Sequence, residues 1–564
     1  MHTLTESPPG MELAPVPAGQ RIEALDVVRG FALIGICLMN VEYFNRAPAT
    51  LGQGMPAGLT GIDWLASFFV AYFVTGKFWT IFSMLFGMGF AVMLSRAESA
   101  GRGFFKPYLR RIAALAVFGV LHYIFLFAGD ILFSYAVSAT FLLVVLYGKA
   151  KWIVAAIVVL GGLAFIPGWG PAAGGTAGTL ALCGLIALYV RNERRPLGLS
   201  VISLIFLVIG VIGAIAAVVM WTMKDVPMQA RGSVSVASAL FLLLSWLAQK
   251  YRNPVEKRSL RAGVTLYVLM FTMMTIGGAA AYLVPKTPAA AAPAAVLAKP
   301  DPQKAGAKPE LTKEQKKAEA EALKAKTLKE EAAKVVHENK VMSTGSYAEM
   351  TRLRLEHFAE HAPMQANFAI LLVAMFMIGT WFIRSGVMEN TGAHLPLFRK
   401  LAYIGLPAGI ALGLAGALIT TTHTPGSETD GFILALGLQM LGNLPACLGY
   451  VAMIVLMLHS RSLFSNVKVL APFGRMALTN YLMQSVVMSM VFFGYGLGYW
   501  GMARAWQVLF ALGLCALQLV FSTWWLARFR YGPAEWLWRA VTYMKVPAMR
   551  LEAAAPAIRA QPTR

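Results

Sequence analysis

Long apolar runs, each of about the length that crosses a bilayer, recur along this 564-residue sequence and constrain its fold more than any other feature. Leu197–Trp221 is one example, since a transmembrane helix needs about 20 predominantly apolar residues. Hydrophobic residues make up 58% of the chain and charged residues only 13%, a balance that excludes a soluble domain. The sequence therefore predicts an all-α polytopic transmembrane helix bundle of about 12–14 spans.

The basic residues indicate how this bundle is oriented. The net charge is +22, but Lys and Arg occur in short clusters between apolar runs, for example at 96–111, 191–195 and 250–261. These clusters fall in alternate loops, as the positive-inside rule describes, rather than in one nucleic-acid-binding patch. We predict a multi-pass membrane protein with both termini cytoplasmic and no nucleic-acid partner. The first span, rather than a removable signal peptide, is expected to direct insertion.

Composition divides the chain into five parts. They are a cytoplasmic tail at 1–26, an N-terminal transmembrane bundle at 27–284, an extracytoplasmic insertion at 285–363, a C-terminal transmembrane bundle at 364–527, and a cytoplasmic tail with an interfacial helix at 528–564. The span count is open at 152–190, which could form one broken hairpin, and at Phe432–Leu458, which Pro445 interrupts. Trp64–Gly76 is too short to cross, so we expect it along the outer interface or as a re-entrant piece.

The insertion has its own composition. A Pro/Ala-rich stretch at 285–309 is typical of an extended spacer, and the Ala/Lys/Glu-rich run at 312–336 is helix-prone without a continuous apolar face. We predict a solvated spacer helix, with a partner-binding helix as the alternative. An amphipathic segment at 346–361 could then cover the outer mouth of the bundle. Its His357 and His361 lack a third metal ligand, and the four cysteines lie unpaired in apolar runs, so no metal or disulfide is predicted.

The first span carries ionisable groups, which are costly inside a membrane and mark functional sites. Asp26 lies one turn from Arg29 on a helix and can neutralise it. Arg29 and Asn40 share a helix face about 16 Å apart, and Glu42 follows near the outer end. This arrangement suits a group that is passed across the membrane.

Other polar side chains lie within or at the edges of later spans. His122 and Asp130, eight residues apart, lie roughly on one face; a buried histidine that only donates an interhelical hydrogen bond is the alternative interpretation. Arg475, Asn480 and Gln484 form a polar seam that is too rich for packing alone. These groups must pair with one another or line a wet cavity.

Five motifs resemble the bacterial YeiB-like membrane family, and the resemblance covers nearly all the chain except residues 1–20 and the insertion. The motifs are Leu25, Asp26, Arg29 and Gly30 with Asn40; Gly76 and Lys77 with Leu85 to Phe90; His122 with Gly129 and Asp130; Gly474 to Ser485; and Tyr531 to Arg539. The resemblance implies a place in the bacterial cytoplasmic (inner) membrane.

The first span is also similar, more distantly, to transmembrane acyltransferases of the heparan-α-glucosaminide N-acetyltransferase type. That resemblance implies acetyl-CoA or another acyl-CoA as co-substrate and an extracytoplasmic acceptor such as a sugar or envelope component. In those enzymes the asparagine helps form the site and a histidine shortly after it is the base. Here no histidine follows Asn40 before His122, so Glu42 and His122 are both candidates.

We therefore predict a membrane-bound acyltransferase that moves an acyl, and specifically an acetyl, group from cytoplasmic acyl-CoA to that acceptor. Its candidate catalytic residues are Asn40, Glu42, His122 and Asp130, and its candidate binding residues are Arg29, Lys77, Arg475, Asn480, Tyr481, Gln484 and Ser485. The alternatives are a permease for a small or lipidic solute, in which the same groups line a path, and a non-catalytic scaffold that works through the insertion. A homodimer is left open.

Overall fold

The computed structural model describes residues 22–101, 103–223, 225–283 and 313–551, and within them the chain is helical, with two isolated bridges in place of strands. The α-helices of these ranges are α1 (Glu23–Asn40), α2 (Gly61–Phe69), α3 (Lys77–Ser99), α4 (Phe105–Phe125), α5 (Leu132–Tyr147), α6 (Ala150–Leu163), α7 (Gly170–Arg191), α8 (Val201–Thr222), α9 (Met228–Lys250), α10 (Arg258–Leu283), α11 (Lys313–Thr344), α12 (Tyr347–His361), α13 (Gln365–Arg384), α14 (Leu395–Lys400), α15 (Leu406–Ile419), α16 (Phe432–Leu458), α17 (Ala471–Arg475), α18 (Ala477–Phe492), α19 (Arg504–Leu526) and α20 (Pro533–Tyr543).

The predicted all-α polytopic bundle is confirmed. Among the described residues, 11 helical stretches are long and apolar enough to cross a membrane, and the shorter apolar helices α5, α6 and α18 accompany them. The stretch at 152–190 forms two helices, α6 and α7, that pack against each other. The long run that contains Pro445 is one continuous helix, α16.

The centre of the bundle is α13, which is buried along nearly its whole length between α3, α5 and α10. A Cβ atom on Gly87 of α3 would lie 2.2 Å from the Phe376 carbonyl oxygen, and one on Gly379 of α13 would lie 2.0 Å from that of Met84. Small residues let membrane helices approach closely enough for backbone-to-backbone packing. The two glycines therefore fix the crossing of α3 and α13.

A broken helix leads into α3. After α2, a π-helical turn at Val70–Val74 ends at Thr75 and Gly76, and Gly76 adopts a φ of +84°. Gln439 of α16 donates a 2.7 Å hydrogen bond to the Ala71 carbonyl, and Tyr450 donates one to Phe73. The segment expected at the outer interface or as a re-entrant piece thus packs against the middle of α16. As a result, α3 begins inside the bundle.

The two ends of the bundle differ. At one end, the basic face, the start of α1, the end of α3 and the helix α20 surround a common opening that carries many arginines. At the other end, the insertion face, α11 lies over the loops 45–57 and 420–431, and α12 lies over the end of α4. The N-terminal residues before Ile22 and the Pro/Ala-rich stretch predicted as a spacer fall outside the described ranges.

The second half of α11 is fastened to the insertion face. The fully buried Glu338 accepts a 2.9 Å hydrogen bond from the Ala49 backbone N–H through Oε2, and its Oε1 lies 3.0 Å from His357 Nε2 of α12. Burial raises the pKa of Glu338, but these two partners outweigh it and lower the pKa below its usual range. The side chains at 318–327 are exposed, as those of a solvated helix would be, whereas Glu338 and Met342 further along α11 are buried.

The amphipathic helix α12 covers the end of α4. Tyr347 and Arg354 of α12 both donate to the Phe125 carbonyl, which ends α4, and Ser346 with Glu349 forms a reciprocal cap at the start of α12. Such caps satisfy backbone groups that the first turn of a helix leaves without partners. This end of the bundle is therefore closed by segments of the insertion.

A cysteine at Ala320 should react with a membrane-impermeant maleimide in intact cells, because the positive-inside rule places the insertion face outside the cytoplasm. Ala320 is exposed on α11, and the four native cysteines are buried and should not react with the maleimide. The matched control is a cysteine at the exposed Ala100, at the end of α3 on the basic face, which should react only after permeabilisation. The reverse pattern would invert the orientation.

Candidate functional site

A cavity of about 1180 Å³ opens at the basic face and penetrates the bundle. Its wall includes residues of α1 from Asp26 to Ile36, so it follows that helix for ten residues, or about 15 Å. Its deep end is bounded by Ile131, Tyr135 and Tyr481. A ligand entering from the basic face could thus reach well into the bundle.

The cavity lining is electropositive. Seven basic side chains face four acidic ones: Arg29, Arg96, Arg111, Lys468, Arg475, Arg530 and Arg539 against Glu23, Asp26, Glu389 and Glu535. The predicted neutralisation of Arg29 is present, as a 2.8 Å bond to Asp26. The excess of cations in a low-dielectric wall makes the cavity suited to an anion.

Two of these arginines have no carboxylate partner among the described residues. The Arg111 guanidinium stacks 4.6 Å from the Trp538 ring, while the Trp538 indole donates to the Arg111 carbonyl. The Nε atoms of Arg111 and Arg475 are buried without a hydrogen-bond partner in the same part of the chain. A guanidinium group with unpaired N–H donors can bind a phosphate or carboxylate group through two parallel hydrogen bonds.

The cavity depends on a close contact between α1 and α17. A Cβ atom on Gly474 would lie 1.9 Å from the Asp26 carbonyl oxygen, and one on Gly30 would lie 2.3 Å from that of Leu470. Backbone therefore meets backbone at both positions. This contact sets Arg29 and Arg475 on the wall of one cavity.

The motif at Tyr531 to Arg539 docks onto the start of α18. Glu535 accepts hydrogen bonds from the backbone N–H groups of Leu478 and Thr479 at 2.6 and 3.1 Å, and from the Thr479 hydroxyl at 2.5 Å. A carboxylate at a helix N-terminus satisfies otherwise unpaired donors and is favoured by the helix dipole. Glu535 thus holds α20 and α18 together beside the cavity.

A buried histidine–aspartate pair lies next to the deep end. His122 Nδ1 is 2.8 Å from Asp130 Oδ1, and Asp130 Oδ2 accepts from the Phe133 backbone N–H. Both side chains are essentially inaccessible, and His122 Nε2 is buried without a hydrogen-bond partner among the described residues. An ionised Asp130 places the imidazole proton on Nδ1, so Nε2 is left with a lone pair, which is the tautomer of a general base.

Aromatic rings separate this pair from the two ends of the bundle. On the cavity side, the Tyr481 ring lies 5.0 Å from the His122 ring, and the Tyr481 hydroxyl has no hydrogen-bond partner among the described residues. On the other side, Phe127 lies 5.8 Å from His122 and stacks on Phe44 at 4.9 Å. Tyr481 therefore lies between the pair and the cavity, and Phe127 and Phe44 lie on the other side of the pair.

The structure brings some predicted site residues together and separates others. Arg29, Arg475 and Tyr481 line the cavity, with His122 and Asp130 beside it. Asn40 is buried one turn before Phe44 and does not line the cavity.

The remaining candidates point elsewhere. Glu42 lies between two guanidinium groups, Arg46 at 2.8 Å and Arg504 at 3.1 Å, which occupy both of its oxygens and make His122 the better placed base. Asn480 donates to Ser522 and Gln484 to Gln518, both on α19, and Ser485 contacts its own helix. Lys77 is fully buried at the start of α3, where its ammonium lies 3.4 Å from the Thr75 carbonyl.

Arg111 and Glu535 carry parts of the site that sequence reasoning missed. Arg111 lies in the basic loop cluster and was interpreted as an orienting charge, and nothing in its spacing predicts the stacking on Trp538. Glu535 belongs to a recognised motif, but its role as a cap of α18 needs the tertiary contact. No group of three His, Cys, Asp or Glu side chains that could hold a metal occurs among the described residues.

The fold and cavity define a class, a polytopic helical membrane protein with a basic cavity that opens at one end and reaches Tyr481, beside a buried His–Asp pair. The comparisons with known proteins show which proteins the chain is similar to. A family profile described as "Protein of unknown function (DUF418)" matches residues 382–545, which include both motifs at Gly474 to Ser485 and Tyr531 to Arg539.

Three relatives are also similar to this chain. The uncharacterised protein YxaH of Bacillus subtilis is 25% identical over 94% of this chain and 96% of its own length. The uncharacterised protein YeiB of Escherichia coli is 29% identical over 34% of this chain and 47% of its own. An uncharacterised 39.9 kDa protein of Bacillus acidopullulyticus is 38% identical over 22% of this chain and 33% of its own. These matches confirm the resemblance to YeiB-like membrane proteins. No solved structure matches the chain.

Replacing Gly474 by Ala should destabilise the protein by about 1–3 kcal/mol, because the new methyl group would overlap the Asp26 carbonyl of α1. The thermal unfolding midpoint of the detergent-purified protein, followed by fluorescence-detected size exclusion, measures this effect. Gly513→Ala on α19 is the matched control, since a Cβ atom there meets nothing within 4 Å. Equal midpoints for the two variants would mean that α1 and α17 can separate without cost.

Proposed function

We propose that the protein is a membrane-bound acyltransferase that transfers an acyl group, specifically acetyl, from cytoplasmic acyl-CoA to an extracytoplasmic acceptor. The observation that supports this most is a basic cavity that opens at one end of the bundle and leads to a buried His–Asp pair with a free Nε2. In this proposal the basic face is the cytoplasmic one, in agreement with the positive-inside rule.

The cations at the mouth would bind the phosphate groups of the acyl donor. Arg475 and Arg111 have unused N–H donors, and burial of their Nε atoms makes leaving them without a partner costly. Arg29 is held by Asp26 with one guanidinium nitrogen, which leaves others for a ligand. The depth of about 15 Å along α1 is suited to an extended thioester arm that brings its carbonyl to Tyr481.

His122 would act as general base at the deep end. Its Nε2 takes the proton from an acceptor hydroxyl or amine while the acceptor oxygen or nitrogen attacks the thioester carbonyl. Collapse of the tetrahedral intermediate breaks the carbon–sulfur bond, and His122 returns the proton to the leaving CoA sulfur. Asp130 holds the imidazole in the required tautomer and stabilises its protonated form.

Tyr481 would stabilise the charge that develops on the carbonyl oxygen. Its hydroxyl is buried near His122 and has no partner among the described residues, so it can donate one hydrogen bond to an oxyanion without giving up another. A pre-positioned donor of this kind contributes about 3 kcal/mol to transition-state stabilisation. Asn40, which the resemblance implies as part of the site, is buried and is the second candidate for this role.

A permease is the second candidate function, and the broken helix favours it. The interruption at Thr75 and Gly76 occurs inside the bundle and places the buried ammonium of Lys77 at the start of α3. Discontinuous helices with charges near mid-membrane line the binding sites of many transporters. If the protein is a permease, the cavity is part of the solute path, and Phe127 and Phe44 close that path toward the insertion face.

Arg475→Gln should weaken CoA binding by about 10–100-fold, the effect of losing a charge-assisted hydrogen bond of about 1.5–3 kcal/mol. Arg29→Lys should weaken it as well, because an ammonium cannot reproduce the planar fork of a guanidinium. Calorimetric titration of CoA into the nanodisc-embedded protein measures both. The control is Arg461→Gln, since Arg461 is exposed and lies outside the cavity lining. If all three variants bind CoA as tightly as the wild type, Arg29 only anchors the span and the cavity is not the CoA-binding site.

Asp130→Asn should lower acetyl-CoA turnover by about 10²–10⁴-fold while CoA binding is retained, because an amide would place the imidazole proton on the wrong nitrogen. The assay follows release of the CoA thiol from labelled acetyl-CoA in membrane fractions. Asp225→Asn, a change at an exposed loop position, is the matched control and should keep wild-type turnover. If wild-type protein binds CoA without any turnover, the permease takes precedence.

A further inference from the structure

A second polar pocket lies at the insertion face, on the far side of the aromatic rings from the basic cavity. It has a volume of about 350 Å³ and is walled by loop 45–57, loop 420–425 and one side chain of α11, Asn339. We propose that this pocket binds a neutral, hydroxyl-rich group, such as a sugar ring or polyol head, and that this group is the acyl acceptor. The assignment as acceptor rests on the proposed function, whereas binding itself does not.

The pocket is built into the fold. Met55 donates its backbone N–H to the Thr421 carbonyl at 2.8 Å, and His423 donates its own to Gln53 at 2.9 Å, so the two loops are joined as a short bridge. Its third wall is held from α11 by the buried Glu338, which neighbours Asn339 and is fixed by Ala49. The insertion therefore completes the pocket rather than merely lying beside it.

His423 is held in a defined orientation at the pocket wall. Its Nδ1 is 2.7 Å from Asp430 Oδ2, and Asp430 also accepts from the backbone N–H groups of Thr424 and Phe432. Burial raises the pKa of Asp430, but these hydrogen bonds together lower it below its ordinary value. An ionised Asp430 accepts from Nδ1–H, so the Nε2 of a neutral His423 remains to accept a hydrogen bond from a ligand hydroxyl.

The charge balance points to a neutral ligand. The cation of the pocket, Arg46, is 2.8 Å from Glu42 and also donates to Thr50 and Gly54, and His423 faces Asp430. The other polar lining consists of amides and hydroxyls, which both donate and accept, as sugar hydroxyls do. The Arg46 guanidinium is already held by Glu42 and two further acceptors, in contrast to the unpaired guanidinium N–H groups of the basic cavity.

The position of the pocket fits an acceptor that approaches from outside. Asn45 and Arg46 in its wall directly follow Tyr43 and Phe44, whose rings pack on Phe127 at 5.6 and 4.9 Å. Phe127 in turn borders His122. One layer of aromatic rings thus separates the pocket from the His–Asp pair, and in the proposed reaction the acceptor group passes this layer.

The test measures sugar binding to the full-length protein in nanodiscs by saturation-transfer NMR, with N-acetylglucosamine and glucose as neutral probes and glucuronate as the anionic one. Asn339→Trp should fill the pocket and weaken binding of the neutral probes at least tenfold without unfolding the protein, since Asn339 is exposed. His337→Trp is the matched control, because position 337 is exposed and lies on nearly the opposite face of α11. CoA binding should be equal in both variants. His423→Gln, which removes the acceptor nitrogen, should reproduce the loss.

The outcomes separate this inference from the proposed function. Neutral-probe binding that Asn339→Trp abolishes and His337→Trp keeps supports the pocket. If the wild-type protein binds sugar but neither binds nor turns over acetyl-CoA, the acyltransferase proposal is wrong and the sugar pocket stands. Absent sugar binding with normal CoA turnover would overturn the inference alone, as would stronger binding of glucuronate than of glucose, or probe binding that neither Asn339→Trp nor His423→Gln weakens.

Discussion

The backbone contact between α1 and α17 is the constraint on which the basic cavity depends. Gly30 and Gly474 each leave no room for a side chain against the opposing main chain. Their contact fixes the distance between the first span and the C-terminal half of the protein, which are more than 400 residues apart in sequence. The contact sets Arg29 of α1 and Arg475 of α17 on the wall of one cavity.

The same arrangement concentrates positive charge at a cost. Arg29 and Arg539 each act on Arg111 as like charges, while Asp26 pairs with Arg29. Like charges held in a partly desolvated wall repel one another, so the empty cavity is less stable than one that holds an anion. Binding of a polyanionic ligand would relieve that repulsion. Ligand binding would therefore stabilise the packing of α4 against α20, which Arg111 and Trp538 join.

The sequence predicted the parts of this protein that follow from local patterns. Hydropathy located the spans. The eight-residue spacing predicted that His122 and Asp130 share a helix face, but α4 ends at Phe125 and Asp130 lies in the loop before α5. The two side chains form a hydrogen bond because this loop folds back onto His122. Helical periodicity also grouped Asn480 with Gln484 correctly. It could not reveal which neighbour that stripe meets, and the stripe faces Gln518 and Ser522 of α19 instead of the cavity. Arg111 is the opposite case. In the sequence its charge indicated only the orientation of the bundle, whereas in the structure it stacks on Trp538 and lines the basic cavity.

The docking of Glu338 has a consequence for how this chain could be shortened. The change of composition suggests that the whole insertion is an appendage that could be cut away between α10 and α13. The buried carboxylate, however, bridges the Ala49 amide and His357, and Leu328 and Lys324 already meet the loop at 426–428. The removable part therefore ends inside α11, before about residue 324, and the rest of that helix is an integral structural element of the bundle.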